Sequence, residues 1–134
     1  MNCYNHVMKQ VVIAIIYKNH QLCVAKRLSE PFMGYIECPG GKVEINESLD
    51  DALKRELYEE IHLSLFDYTY LKTIDVTNHI GDFKLHFYKV IPYEELKPMV
   101  YSELLWINKD QLHKLNWIPH NIPYVDFFIQ ADQL

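Results

Sequence analysis

Residues 41–63, GKVEINESLDDALKRELYEEIHL, contain a helical pattern that constrains the rest of the chain. At about 100° per residue, the apolar side chains of this segment form one stripe along a helix. The stripe consists of Leu49, Leu53, Leu57 and Ile61. Glu60 projects near the centre of the stripe and Glu56 to one side of it, whereas a glutamate that served only solubility would project opposite, near Asp51. The pattern therefore predicts two carboxylates on the side of the helix that faces the core.

Carboxylates in that position require a cationic partner. Burial of an unpaired carboxylate is unfavourable or shifts its pKa. Glu56, Glu59 and Glu60 stand at positions i, i+3 and i+4 and form a cluster of hard oxygen ligands. Such ligands are typical of Mg²⁺ and Mn²⁺ sites. We therefore expect Mg²⁺ as the cofactor, with Mn²⁺ as an alternative.

The same segment resembles the signature of the Nudix hydrolases, G-x5-E-x7-R-E-U-x-E-E-x-G-U, where U is aliphatic. The matching positions are Gly41, Glu47, Arg55, Glu56, Leu57, Glu59, Glu60 and Leu63. A charged surface helix would match so many positions only by chance. One position differs, because His62 replaces a glycine where a helix usually ends in a residue with positive φ. Histidine tolerates that conformation better than most residues, so the difference affects the helix end rather than the metal site.

Length and charge favour one domain that acts on a small molecule. With 134 residues, 49% of them hydrophobic, the chain is long enough for a single domain over 1–134 to bury a sizeable core. The net charge is −5, and the 13 Lys and Arg residues are scattered. This distribution offers no footprint for a nucleic acid polymer. A mononucleotide is the expected partner.

The cysteines and the apolar runs favour a cytoplasmic protein without a membrane segment. Cys3, Cys23 and Cys38 are odd in number and widely spaced, which predicts free thiols rather than disulfides or a zinc site. The longest apolar run, residues 11–17, is too short to span a bilayer. The polar start MNCYNH lacks the plan of a signal peptide.

Periodicity predicts an α+β chain in which a hairpin precedes the acidic helix and further strands follow it. The expected strands are residues 11–17, 21–27, 35–38, 71–76, 83–90 and 104–107, with turns at residues 18–20 and at Gly81-Asp82. The expected helices are residues 48–61, residues 109–115 and a C-terminal helix opened by Pro123. This order is compatible with the αβα sandwich, built on a mixed sheet, that the Nudix resemblance implies.

The resemblance implies hydrolysis of a nucleoside diphosphate linked to another group, by attack of water on phosphorus. Glu56, Glu59 and Glu60 would bind the divalent ion, and the Gly40 carbonyl is a further ligand in the family pattern. Bound divalent ions neutralise polyphosphate charge and lower the pKa of the attacking water. The three glutamates are thus candidate catalytic residues as well as metal ligands.

Further residues are assigned to the leaving group, to proton transfer and to support of the ligands. Arg27 and Lys42 are candidates to meet the charge of the departing pyrophosphate; for each, the alternative is an ordinary surface charge. In the family the base is a glutamate of the signature or one in a later loop, and Glu103, within SELLW, matches the latter. Its alternative is an ordinary loop carboxylate. The resemblance implies that Arg55 pairs with Glu47 and braces the ligands.

Three further segments, CVAKRL, YIECPGGKVE and WIPHNIPYV, resemble the MutT subgroup, which hydrolyses 8-oxo-dGTP to 8-oxo-dGMP and pyrophosphate and so prevents mutation. In that subgroup an asparagine before the last helix reads the O6 and N7–H edge of the oxidised base, and Asn121 stands at the matching place. A side-chain amide offers a donor and an acceptor, whereas ordinary guanine presents two acceptors on this edge. The alternative is that Asn121 caps the helix opened by Pro123.

The backbone of the segment Glu37, Cys38, Pro39 and Gly40 is expected to contact the base, although Cys38 replaces the large apolar residue that often precedes this proline in MutT proteins. Trp106 and Trp117 belong either to the core or to the base pocket. The alternative functions are a related pyrophosphohydrolase that acts on another substrate, such as a pyrimidine triphosphate or a broad set of nucleotides, and a non-catalytic nucleotide sensor. The complete set of signature glutamates argues against the sensor.

Overall fold

The computed structural model describes residues 8–79 and 81–118, which form a seven-stranded mixed sheet with one α-helix and one 3₁₀ helix. The strands are β1 (Lys9–Lys18), β2 (Gln21–Arg27), β3 (Ile36–Glu37), β4 (Gly40–Lys42), β5 (Phe66–Asn78), β6 (Gly81–Pro92) and β7 (Tyr101–Asn108). Helix α1 covers Leu49–Ile61, and the 3₁₀ helix covers Lys109–Lys114. The mixed sheet and the α+β class agree with the sequence prediction.

The sheet divides between β1 and β2, and this division makes room for the segment before α1. The two strands pair as an antiparallel hairpin only near their turn, where Lys18 faces Gln21 and the two linking residues, Asn19 and His20, have positive φ. Farther along, β2 pairs with β3, while β4 pairs with β1. On its other edge β1 pairs in parallel with β6. Strands β3 and β4 therefore lie where the two halves of the sheet separate.

Successive side chains of β1 project to opposite faces of the sheet, and each set packs into a separate core cluster. Val12, Ala14 and Ile16 join the first core cluster, which contains the apolar stripe of α1. Ile13 and Ile15 join the second cluster on the opposite face. Complete burial of an aliphatic side chain contributes about 1.5–3 kcal/mol, so α1 is held on its face mainly by its stripe.

Both ends of α1 are capped. The side chain of Ser48 accepts a hydrogen bond from the Asp51 N–H at 3.1 Å. At the other end His62 adopts the left-handed conformation with φ 56°, and its N–H donates to the Tyr58 carbonyl while the Leu63 N–H donates to the Leu57 carbonyl. This is the pattern with which helices commonly end on glycine. The histidine thus preserves the helix end.

Several boundaries differ from the prediction. Strand β5 begins at Phe66 and ends at Asn78, which faces Gly81, so the turn precedes Gly81 instead of lying at Gly81-Asp82. Strand β7 begins at Tyr101, three residues before the predicted strand, because it pairs with β2 over its whole length. The segment after β7 is a 3₁₀ helix. The predicted C-terminal helix and its Pro123 lie outside the described residues.

Neither Cys23 nor Cys38 forms a disulfide within the described part of the chain, and Cys3 lies outside it. Burial raises the pKa of both described thiols to about 12, so they are protonated at neutral pH. None of the helices within residues 8–79 and 81–118 has the length and apolar character of a membrane span.

Candidate active site

Helix α1 presents its three signature glutamates to different surroundings. Glu56 is buried, with 9% of its surface exposed, and Glu60 is partly buried on the same side of the helix. The Glu59 side chain is 57% exposed. The predicted orientation of Glu56 and Glu60 toward the sheet is therefore correct, and Glu59 lies at the solvent edge of the cluster.

Two glycines of β4 allow the backbone to approach these carboxylates. A Cβ atom on Gly41 would overlap the carboxylate of Glu56, and one on Gly40 would overlap the Val12 carbonyl oxygen. The Gly40 N–H donates to Glu60 Oε1 at 3.1 Å. Glycine is thus required at both positions by close packing, because any side chain would displace either the glutamate or strand β1.

The surroundings of Glu60 disfavour the charged form of its carboxylate. Burial raises its pKa above the usual range, and the charges of Glu56 and Glu37 raise it further. Its hydrogen bonds from the Tyr101 hydroxyl, at 2.8 Å, and from Gly40 only partly offset these effects. A cation placed among these carboxylates would relieve the repulsion.

Arg55 joins two members of the cluster, Glu56 and Glu59, to Glu47. Its Nε and Nη2 atoms donate to the two carboxylate oxygens of Glu47 at 2.7 and 2.9 Å. Its Nη1 donates to Glu56 at 2.9 Å and to Glu59 at 3.1 Å. The guanidinium, together with the Glu44 N–H, lowers the pKa of Glu47 to about 2, and the pairing of Glu47 with Arg55 is the one implied by the resemblance.

The donor set fits a hard divalent cation. Glutamate carboxylates and the adjacent backbone supply only oxygen ligands, which Mg²⁺ and Mn²⁺ prefer. Within residues 8–79 and 81–118, no three Asp, Glu, His or Cys side chains converge as a preformed metal site. The physical reason is that Arg55 engages Glu56 and Glu59 while other donors engage Glu60. Arg55 contacts the Oε1 atom of each of these two glutamates, so their second oxygens could bind a cation while the arginine contacts persist.

Arg27 lies on the same face of the sheet as Glu60. Its Nη1 donates to Glu37 at 2.7 Å and its Nε to the Pro31 carbonyl at 2.9 Å. Glu37 in turn contributes to the raised pKa of Glu60. The structure therefore brings Arg27 near the acidic cluster, where its guanidinium pairs with Glu37.

Lys42 is separated from the cluster by the sheet. It faces Val11 across the β1–β4 ladder, and Val11 packs against the second core cluster. Paired residues of a ladder project to the same face, so the Lys42 side chain points away from α1. Its backbone carbonyl still accepts a hydrogen bond from Arg55 Nη2 at 2.9 Å.

The predicted loop position of Glu103 is wrong, because this residue lies within β7 opposite Lys26. Their side chains form an exposed ion pair at 3.8 Å. Leu105, two residues farther along β7, packs in the second core cluster, so Glu103 projects to the face opposite α1. A strand partner distant in sequence determined this orientation, and the local pattern SELLW did not reveal it.

The structure describes most, but not all, of the remaining predicted residues. Cys38 packs against the second core cluster, and the Pro39 carbonyl accepts a hydrogen bond from the Ala14 N–H at 2.9 Å. Trp117 belongs to the core, whereas Trp106 is 36% exposed and lines a cleft of about 700 Å³. Asn121 lies outside the described residues.

The structure adds one residue to the site that sequence reasoning missed. Tyr101 is 7% exposed, and its hydroxyl contacts Glu60. Tyr101 stands ahead of the predicted strand, and the sequence did not indicate a contact with Glu60. Its one general indication was that a buried tyrosine usually has a polar partner for its hydroxyl.

Comparison with known proteins agrees with this geometry. Residues 8–126 match the NUDIX domain. The chain belongs to the Nudix family. An 8-oxo-dGTP diphosphatase of Buchnera aphidicola is 30% identical over 129 residues, which cover 88% of this chain and 95% of that protein. The CTP pyrophosphohydrolase of Escherichia coli is 30% identical over 126 residues, covering 91% and 92%.

The fold is also shared with solved Nudix structures. The MutT NUDIX hydrolase from Burkholderia pseudomallei superposes with a TM-score of 0.77 at 22% identity, covering 88% of this chain and 95% of that one. Family and relatives together make this protein a Nudix pyrophosphohydrolase. The αβα arrangement implied by the signature is thus the fold of its relatives.

Proposed function

We propose that this Nudix hydrolase is a Mg²⁺-dependent diphosphatase that converts 8-oxo-dGTP to 8-oxo-dGMP and pyrophosphate. The observation that carries the proposal is the convergence of the Glu56 and Glu60 carboxylates on the Gly40-Gly41 backbone. Such a concentration of buried negative charge is costly unless a cation is bound there. Removal of an oxidised nucleotide from the precursor pool would prevent its incorporation into DNA.

Each residue has a defined part in this proposal. Glu56, Glu59 and Glu60, with the Gly40 carbonyl, hold the divalent ion, which when bound neutralises the polyphosphate and lowers the pKa of the attacking water. Arg55 keeps the carboxylates in position through its contacts with Glu56 and Glu59.

The phosphate-binding and proton-transfer groups follow from which face each side chain occupies. Arg27 would bind substrate phosphate by exchanging its contact with Glu37, whereas Lys42 points away from α1. The proton acceptor is then one of the helix carboxylates and not Glu103, which projects to the opposite face and pairs with Lys26. Both assignments place the reacting groups on the α1 side of the sheet.

Substrate choice rests on the MutT resemblance. The Buchnera relative is named for 8-oxo-dGTP, and Asn121 supplies the amide expected to read the oxidised base. A second candidate is a pyrimidine triphosphate, because the CTP pyrophosphohydrolase of Escherichia coli is equally similar in identity. Base recognition distinguishes the two, since the metal chemistry is the same.

Turnover of purified protein against a panel of triphosphates tests the proposal. We expect Mg²⁺-dependent release of pyrophosphate, not phosphate, with the highest kcat/KM for 8-oxo-dGTP. A higher value for CTP or dCTP would replace the substrate assignment. Absence of hydrolysis for the whole panel with either Mg²⁺ or Mn²⁺ would contradict the diphosphatase assignment itself.

The substitution Asn121→Ala tests how the base is read. If the amide contacts both polar groups of the oxidised edge, kcat/KM for 8-oxo-dGTP should fall at least about tenfold, because each buried group left without a partner costs roughly 1–3 kcal/mol. Activity on dGTP should fall much less. If Asn121 only caps a helix, stability should fall by about 1 kcal/mol and the ratio of the two kcat/KM values should stay constant.

A further inference from the structure

Tyr101 contacts Glu60, the glutamate of the acidic cluster for which no Arg55 contact is seen among the described residues. Its side chain is buried, and its hydroxyl donates to Glu60 Oε1 at 2.8 Å. The Gly40 N–H donates to the same oxygen. Among the described residues, no donor reaches the other oxygen, Oε2. One oxygen of this carboxylate is thus fixed by two neutral donors, and the described part of the chain leaves the other oxygen to a ligand.

An irregularity in β7 directs Tyr101 toward Glu60. Lys26 faces Glu103 and Arg27 faces Tyr101, so Ser102 is an extra residue on the β7 side of the ladder. Such a bulge interrupts the alternation of side chains. Without it, Tyr101 and Glu103 would project to the same face, away from α1. The Ser102 hydroxyl donates to the Lys26 carbonyl at 3.3 Å, which helps to hold the bulge.

A hydrogen bond from a tyrosine hydroxyl is well suited to orienting a carboxylate that binds a metal. A phenol donates one hydrogen bond and carries no charge, so it orients a carboxylate without neutralising it. A lysine or arginine at this position would satisfy the negative charge and compete with a bound cation. Partners of this kind hold metal ligands in a fixed orientation.

We propose that Tyr101 is a positioning residue that holds the Glu60 carboxylate, with Oε2 presented to the divalent ion. This inference rests on the metal-binding role of Glu60 proposed above. It adds a residue of β7 to a site otherwise built from α1 and β4. The bulge at Ser102 is then a feature of the active site and not an irregularity of the edge strand.

The substitution Tyr101→Phe removes only the hydroxyl, and Tyr88→Phe is its matched control. Tyr88 is also buried on the α1 face, and its ring packs against Tyr68 and Tyr70. Mn²⁺ affinity should be measured directly by electron paramagnetic resonance on the wild type and both variants, alongside kcat and KM. We expect Tyr101→Phe to weaken Mn²⁺ binding by about 10-fold or more, to lower kcat by a similar factor and to leave the nucleotide KM nearly constant. Tyr88→Phe should retain wild-type Mn²⁺ binding.

Glu60→Gln separates failure of this inference from failure of the proposed function. Loss of Mn²⁺ binding in Glu60→Gln but not in Tyr101→Phe would overturn the role of Tyr101 alone. Retention of Mn²⁺ binding in Glu60→Gln would overturn the metal site itself. Equal loss of Mn²⁺ affinity in Tyr101→Phe and Tyr88→Phe would show that both hydroxyls act only through general packing, which also contradicts the proposal.

Discussion

Glu47 and Glu60 are both glutamates of the Nudix signature, yet their surroundings have opposite effects on their charge. Glu47 receives two hydrogen bonds from the guanidinium of Arg55, and its pKa falls to about 2. Within residues 8–79 and 81–118, the hydrogen bonds to Glu60 come from neutral groups, Tyr101 and Gly40, and burial raises its pKa. The first carboxylate already has a cationic partner, whereas the second has, in this part of the chain, donors that orient it and none that neutralises it.

Under the proposed function, this difference separates a supporting glutamate from a metal-binding one within one short segment. A carboxylate with a permanent cationic partner stabilises the folded chain but is a poor metal ligand, because the metal would have to displace that partner. A carboxylate without such a partner, whose pKa burial has raised, would regain its charge as a metal binds. Glu56 is intermediate, because it is buried beside Gly41 and also accepts from Arg55.

The largest expected effect comes from Glu60→Gln, which removes the charge that lacks a cation. We expect Mg²⁺-dependent turnover to be abolished, since a neutral amide is a weaker ligand for a hard cation. Repulsion with Glu56 also disappears, so the melting temperature of the metal-free protein should rise. Steady-state kinetics and thermal unfolding in EDTA measure the two effects.

Glu103→Gln is the control for that substitution, because it makes the same chemical change on the opposite face of the sheet. Its kcat should remain close to wild type. Unchanged Mg²⁺-dependent turnover in Glu60→Gln, or a loss of turnover in Glu103→Gln as large as in Glu60→Gln, would contradict the contrast drawn here.

An intermediate effect is expected for Arg55→Lys. This substitution tests whether the charge of Arg55 or its hydrogen-bonding geometry matters. Lysine keeps the positive charge but cannot donate at once to Glu47, Glu56 and Glu59 with the geometry of a guanidinium. We expect turnover to fall roughly 10- to 100-fold, the range typical of partners that orient metal ligands. Wild-type turnover in a folded Arg55→Lys variant would show that charge alone is sufficient.

The smallest effect is expected for Glu47→Gln and concerns stability as a function of pH. A carboxyl whose folded-state pKa is lowered stabilises the protein above its unfolded-state pKa and loses this contribution as the pH falls through the folded-state value. For Glu47 that interval runs from its ordinary pKa of 4.5 down to about 2. Urea unfolding at several pH values should show the wild type more stable than Glu47→Gln near neutrality, with the difference disappearing toward pH 2. A difference that stays constant with pH would contradict this assignment.

Local sequence was sufficient for the helix and its carboxylates. Ser48 caps the start of α1, the apolar stripe faces the sheet, and Glu56 and Glu60 project toward the core as predicted. The β1–β2 hairpin and its turn were likewise predicted. These features depend on residues a few positions apart, whose spacing determines which side chains share a face.

Tertiary structure alone decided which other side chains join the carboxylates. Tyr101 reaches Glu60 and Glu103 does not, although they are two residues apart, because a bulge in the pairing of β7 with β2 reverses the alternation between them. The face occupied by Lys42 depends in the same way on the register of β4 against β1. A shift of one residue in a ladder moves a side chain to the other face of the sheet, and that shift is determined by a strand distant in sequence. The sequence of this protein therefore determined its acidic helix and its reaction class, while the partners of each carboxylate were determined by the pairing of strands.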